Sequence, residues 1–128
     1  MNRSRARFSE AAQRFAERRR REDEAQRLKD RIPNLATLRL EIEEWRGTTS
    51  AGDPKHVRVV VVDNAPALFA LPCGDHACKD GGHDMTDPIL RGLQSGTAHF
   101  DMEDTCTGSV GSSECGRVMR VTVTATYR

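Results

Sequence analysis

Four cysteines in two loop pairs set the tightest constraint on how this chain can fold: Cys73-Gly-Asp-His-Ala-Cys78 and Cys106-Thr-Gly-Ser-Val-Gly-Ser-Ser-Glu-Cys115. Each pair sits among glycines and short polar residues, the composition that lets a turn close tightly and aim backbone amides at sulfur. Zinc takes four soft ligands in a tetrahedron, and two turns meeting across a fold supply them without a large core. The rest of the chain needs such a staple. Its hydrophobic fraction of 37% over 128 residues lies below the roughly 45–50% of ordinary globular chains. Small cores of this kind are commonly stapled by metal or disulfides.

The spacing is C-x4-C, then 27 intervening residues, then C-x8-C, looser than a pair of C-x2-C knuckles. From Pro72 onward the pattern resembles a zinc ribbon or treble-clef domain at the level of class. The ligand set expected is Cys73, Cys78, Cys106 and Cys115 around Zn, and such a closed site is structural, because catalysis needs an open coordination position. His76, His83 and His99 share the same half of the chain and compete as ligands in place of a cysteine; Asp84 could orient His83 from behind. Disulfides, or unligated buried or surface thiols, are the alternative states of the four cysteines. The N-terminus is basic without a following apolar run, and the longest apolar stretch, Val57 to Val62, is interrupted by Arg58. Neither a signal peptide nor a membrane span is expected. The reading is cytoplasmic, where thiols stay reduced and free for metal.

Charge divides the chain in two. Residues 1–31 carry 11 Lys/Arg against 6 Asp/Glu, net +5, and the remainder carries 9 against 13, net −4. From Arg5 to Ile32 no Gly or Pro interrupts a run rich in Ala, Arg, Glu and Gln, and Pro33 stops it, so one long basic helix is expected there. Phe8, Ala12 and Phe15 share one side of that helix, while Leu28 and Ile32 lie roughly opposite. Arg14, Arg18 and Arg21 align as a guanidinium stripe with Arg3 and Arg7, and Arg19 and Arg20 add charge beside it.

Beyond Pro33 the periodicity changes to two. Leu38, Leu40 and Ile42 alternate with Arg39, Glu41 and Glu43, a half-buried strand. His56 to Val62 is a second strand, joined to the first by a polar turn over Gly47 to Pro54. Ala67 to Leu71 reads as a short edge strand between Pro66 and Pro72. Asp87-Pro88 resembles an N-cap followed by proline at the first helical position, opening a short helix through Ile89, Leu90 and Leu93 that Gly96 ends. Thr97 to Met102 is a further strand. Arg117 to Tyr127 alternates most clearly, with Met119, Val121, Val123 and Ala125 on its apolar side.

The expected architecture is α+β: a solvated basic helix arm over residues 1–32, then a small zinc-binding body over 33–128, mainly antiparallel sheet with one short helix. The expected function is a non-enzymatic, zinc-stabilised binding module, an accessory protein of a nucleic-acid assembly such as a ribosome. Structured RNA would be its partner, with Arg14, Arg18, Arg19, Arg20 and Arg21 as phosphate contacts. The competing expectation is a protein adaptor docking through Phe8, Phe15, Leu28 and Ile32. No spacing in the chain is specific to a Cys/His nucleophile or to a zinc-bound water.

Overall fold

The computed structural model describes residues 3–46 and 55–128, with side chains of the N-terminal helix from Ala12 onward. The predicted turn over Gly47 to Pro54 and the side chain of Phe8 lie outside the described residues. The elements in chain order are α1 (Arg3–Glu24), α2 (Leu28–Arg31), β1 (Leu35–Trp45), β2 (His56–Val60), β3 (Ala70–Leu71), β4 (His83–Asp84), α3 (Thr86–Gln94), β5 (His99–Thr105), β6 (Ser109–Val110), β7 (Ser113–Glu114) and β8 (Val118–Tyr127). The fold is mixed α+β.

β1 and β8 form the spine of a four-stranded antiparallel sheet of order β2-β1-β8-β5. Their register sets Leu38 opposite Ala125, Leu40 opposite Val123 and Ile42 opposite Val121. The period-two alternation therefore collects the apolar side chains of both strands on one face. Against that face α3 presses Ile89, Leu90 and Leu93, all buried, in one cluster with Leu38, Leu40, Met119, Val121, Val123 and Ala125. Fully burying one such side chain stabilises the fold by roughly 1.5–3 kcal/mol. The core therefore rests chiefly on this sheet and helix.

The start of α3 differs from expectation. Met85 rather than Asp87 is the residue before the helix, and it makes no side-chain cap. Asp84 Oδ1 instead accepts the Thr86 N–H at 3.1 Å. Pro88 falls at the third helical position, still within the first turn, where a missing N–H leaves no helical hydrogen bond unmade. Gly96, at φ +71° just past the end, matches the expected stop.

The single helix to Ile32 is corrected more substantially. α1 ends at Glu24, and Arg27 is extended at φ −74° and ψ 143°. Residues 26–28 run beside 65–67, with Ala67 N–H donating to Gln26 O at 2.7 Å and Leu28 N–H to Ala65 O at 2.9 Å. α2 then follows as one turn. Its consequence is packing: Leu28 and Ile32 are 0% and 2% exposed and belong to the core cluster. Helix propensity permitted an unbroken rod, but a rod would have left these two residues on the side away from Phe15. Breaking it turns them inward, and burial outweighs the few lost helical hydrogen bonds.

Candidate metal centre

The cysteine loops meet at one end of the sheet. Cys106 directly follows β5, and Cys115 lies between β7 and β8. Cys106 N–H donates to Arg117 O at 2.8 Å and Cys115 N–H to Gly108 O at 2.8 Å, which folds the second loop back on its own base. The first loop hangs from β3, and Ala77 N–H donates to Asp75 Oδ1 at 2.9 Å, an Asx turn between its cysteines. A reciprocal backbone pair joins the loops, Lys79 N–H to Ser109 O at 2.7 Å and Ser109 N–H to Lys79 O at 2.9 Å. All four sulfurs are thereby brought together.

Cys73 Sγ lies 3.7 Å from Cys115 Sγ, and Cys78 Sγ lies 3.6 Å from Cys106 Sγ. All four stand within 4.8 Å of one another, with separations of 3.6–4.0 Å across the group. A tetrahedron with metal–sulfur bonds of about 2.3 Å has edges of about 3.8 Å. The cluster thus has the dimensions of a four-thiolate metal site. The cysteines are free rather than disulfide-bonded; a disulfide needs about 2.05 Å.

The surrounding residues fit an anionic cluster. Gly81 and Gly108 press against it so closely that a Cβ on Gly81 would collide with Cys78 Sγ and Cys106 Sγ, and one on Gly108 would stand 2.6 Å from Cys78 Sγ. Arg46 supplies positive charge: it donates to Cys115 Sγ at 3.3 Å, to Cys115 O at 3.0 Å and to Asp75 Oδ2 at 2.9 Å. Glu44 clamps the loops from the sheet. Its Oε1 accepts the Gly74 N–H at 2.9 Å and the Arg117 Nε–H at 3.2 Å, in a nearly buried ion pair.

Proton affinities of the thiols follow these contacts. Burial and the neighbouring thiols push Cys73 and Cys78 up. Burial acts the same way on Cys115, but the Arg117 backbone, the Arg46 guanidinium and the adjoining thiols outweigh it and bring Cys115 down to about 7. One sulfur is thus a ready thiolate near neutrality, as metal capture requires.

The histidines separate. His76 and His99 are exposed, and His99 Nδ1 meets Thr124 Oγ1 at 3.2 Å on the sheet. His83 is 2% exposed and lies beside the cluster, a ring nitrogen grouping with Cys73 Sγ and a Glu44 oxygen within 4.8 Å. Its Nδ1 is 2.7 Å from Asp104 Oδ2, so the expected partner Asp84 is replaced by Asp104. Asp84 pairs instead with Arg21 at 3.6 Å. Sequence reading also missed Glu44, Arg46 and Arg117. Only their adjacency to strand ends hinted at a role, because their partners lie 29 to 73 residues away.

A cleft of about 660 Å³ separates α1 from the first cysteine loop, and Arg14, Arg18 and Arg21 line it opposite Cys73, Asp75, His76 and Asp80. Arg19 and Arg20 do not line it; Arg20 reaches Glu17 at 3.9 Å, both well exposed. The expected phosphate set is therefore divided between two sides of the helix. Of the docking set, Leu28 and Ile32 are core residues, which removes them as contacts for a partner, and Phe15 is 60% exposed. Among the described residues no helix is long and apolar enough to cross a membrane. Comparison with known proteins finds no matching family model, no matching curated protein and no matching solved structure.

Proposed function

We propose that the four cysteines hold a structural zinc ion and that the domain is a non-enzymatic binding module for structured RNA, reading phosphates with α1. The observation that carries the metal half is the closed set of four sulfurs within 4.8 Å. Four thiolates fill a tetrahedron and leave no position for water or substrate, and bound zinc would supply cross-linking rather than Lewis-acid chemistry. Zinc suits sulfur donors of this kind.

The nucleic-acid half is supported by the arrangement of arginines. Arg14 and Arg18 are exposed on one wall of the cleft, and no carboxylate among the described residues pairs with either. A guanidinium without a carboxylate is the group best matched to a phosphate oxygen. Arg21 is held by Asp84 and contributes less. The cleft also carries Glu17 on the helix wall and Asp75, Asp80 and Asp84 facing it, which would repel a phosphate chain running deep into it. Contact is thus with phosphates passing along the rim, a mode that reads shape rather than base sequence.

Binding of a structured RNA, measured across a salt series, tests this reading. Arg14→Gln with Arg18→Gln should weaken binding at low salt and flatten the log–log salt slope by about 1.4–1.8, since each lost phosphate contact removes roughly 0.7–0.9. Binding that ignores salt, or that survives the double substitution unchanged, would falsify it. The exposed Phe15 favours a second reading, a protein partner seated on α1; it predicts capture abolished by Phe15→Ala and indifferent to both arginines.

A further inference from the structure

The first metal shell is complete with four cysteines, yet a fifth donor stands beside it. We propose that His83 is a reserve ligand: its Nε2 takes the place of Cys73 on a metal ion held by Cys78, Cys106 and Cys115. The inference rests on the metal reading above and concerns what the chain does when one thiolate is lost.

Three observations converge on His83. Its ring is buried, at 2% exposure, and Nε2 meets no hydrogen-bond partner among the described residues. A buried polar atom left unpaired is costly, so its retention calls for a use. Next, Nδ1 faces Asp104 Oδ2 at 2.7 Å. In the tautomer that donates its Nδ1–H to this carboxylate, Nε2 carries the lone pair through which imidazole binds metal. A carboxylate behind the ring is the usual support of a metal-bound histidine. Finally, a His83 ring nitrogen lies within 4.8 Å of Cys73 Sγ.

The backbone explains why Cys73 is the ligand to be replaced. His83 follows Gly81 by two residues, and Gly81 abuts the sulfurs of Cys78 and Cys106. Asp104 precedes Cys106 by two residues on an extended segment, so the two side chains share a face. Asp104 thus ties the ring to the segment that ends in Cys106, while the ring itself groups with Cys73 and Glu44. Cys73 sits on the loop leaving β3, which pairs with β4 so that Leu71 stands opposite His83; this sets its sulfur beside the ring, and it is only half-buried where Cys106 and Cys115 are buried. Glu44 is the other donor near Cys73, but its carboxylate is committed to Gly74 and Arg117. Exchange of thiolate for neutral imidazole removes one negative charge beside the cleft that Arg14 and Arg18 line.

The experiment is a Co2+ titration, followed by absorption, of the full-length wild type, Cys73→Ser, Cys73→Ser/His83→Ala, Cys73→Ser/Asp104→Asn and Cys106→Ser. Cys73→Ser should stay folded and bind one Co2+ with the weaker sulfur charge-transfer band of three thiolates and one nitrogen. With 113Cd2+ in Co2+'s place, the same variant should show scalar coupling between cadmium and the 15N-labelled Nε2 of His83. Adding His83→Ala should abolish tight binding, as Cys106→Ser does alone, and adding Asp104→Asn should weaken it about 10- to 100-fold. Equal binding by Cys73→Ser with and without His83→Ala overturns the proposal, as does a Cys73→Ser protein that unfolds or loses metal as fully as Cys106→Ser. A wild type that binds no Co2+ refutes the metal site itself, and the reserve ligand with it; a wild type with four-thiolate absorption leaves the variants to bear on His83 alone.

Discussion

The sheet and the cysteine loops are joined end to end in one small fold, but different forces order them. On the sheet's inner face Leu38, Leu40, Val121, Val123 and Ala125 are at most 2% exposed and pack against Ile89 and Leu93. Around the sulfurs, Gly74, His76, Lys79, Asp80 and Gly81 are exposed, and the contacts are polar: Glu44 to Gly74 and Arg117, Arg46 to Asp75 and Cys115. Burial of apolar area holds the first region without help. The second buries too little to offset the entropy of ordering its loops, at roughly 1–2 kcal/mol per residue, and in the proposed reading metal ligation makes up the difference.

That contrast can be broken most forcefully by withdrawing metal. Chelation of metal-loaded protein should collapse amide protection over residues 73–82 and 106–117 and leave the β1–β8 ladder protected. Structural zinc contributes up to about 10–16 kcal/mol in small domains, so the loops should lose orders of magnitude in protection; equal loss in both regions would erase the distinction. Leu28→Ala probes the other side. It should lower stability to urea by about 2–5 kcal/mol and leave metal stoichiometry unchanged. Glu44→Gln acts at the junction, where the amide still accepts from Gly74 but no longer neutralises Arg117; a loss of about 1–3 kcal/mol is expected, read in the same urea titration. Smallest of all, Arg19→Gln with Arg20→Gln should change stability by less than about 0.5 kcal/mol and should weaken RNA binding less than Arg14→Gln with Arg18→Gln.

How far the chain could be read in advance follows the same division. Strands of strict alternation were legible: β1 and β8 carry their apolar residues at every second position, and register then follows from burying one face. The four cysteines were legible as a group because thiols amid glycines have few other uses. The break in the N-terminal helix was signalled but not decoded. Leu28 and Ile32 opposite Phe15 marked a helix with two incompatible apolar sides, which is resolved only when residues 26–28 find residues 65–67 as a backbone partner. The Asp104–His83 pair and the Glu44–Arg117 clamp were beyond reach. Each joins residues 21 and 73 positions apart, and nothing local distinguishes such carboxylates from those of a solvated strand.

On the reading proposed above, four thiolates close around one metal ion and the loop region's stability follows from it. Native mass spectrometry of protein purified without added metal, paired with a thiol count under denaturation, addresses that directly. One zinc per chain, with four thiols released on unfolding, is the predicted result. Metal-free protein with four free thiols, or with two disulfides, would contradict it.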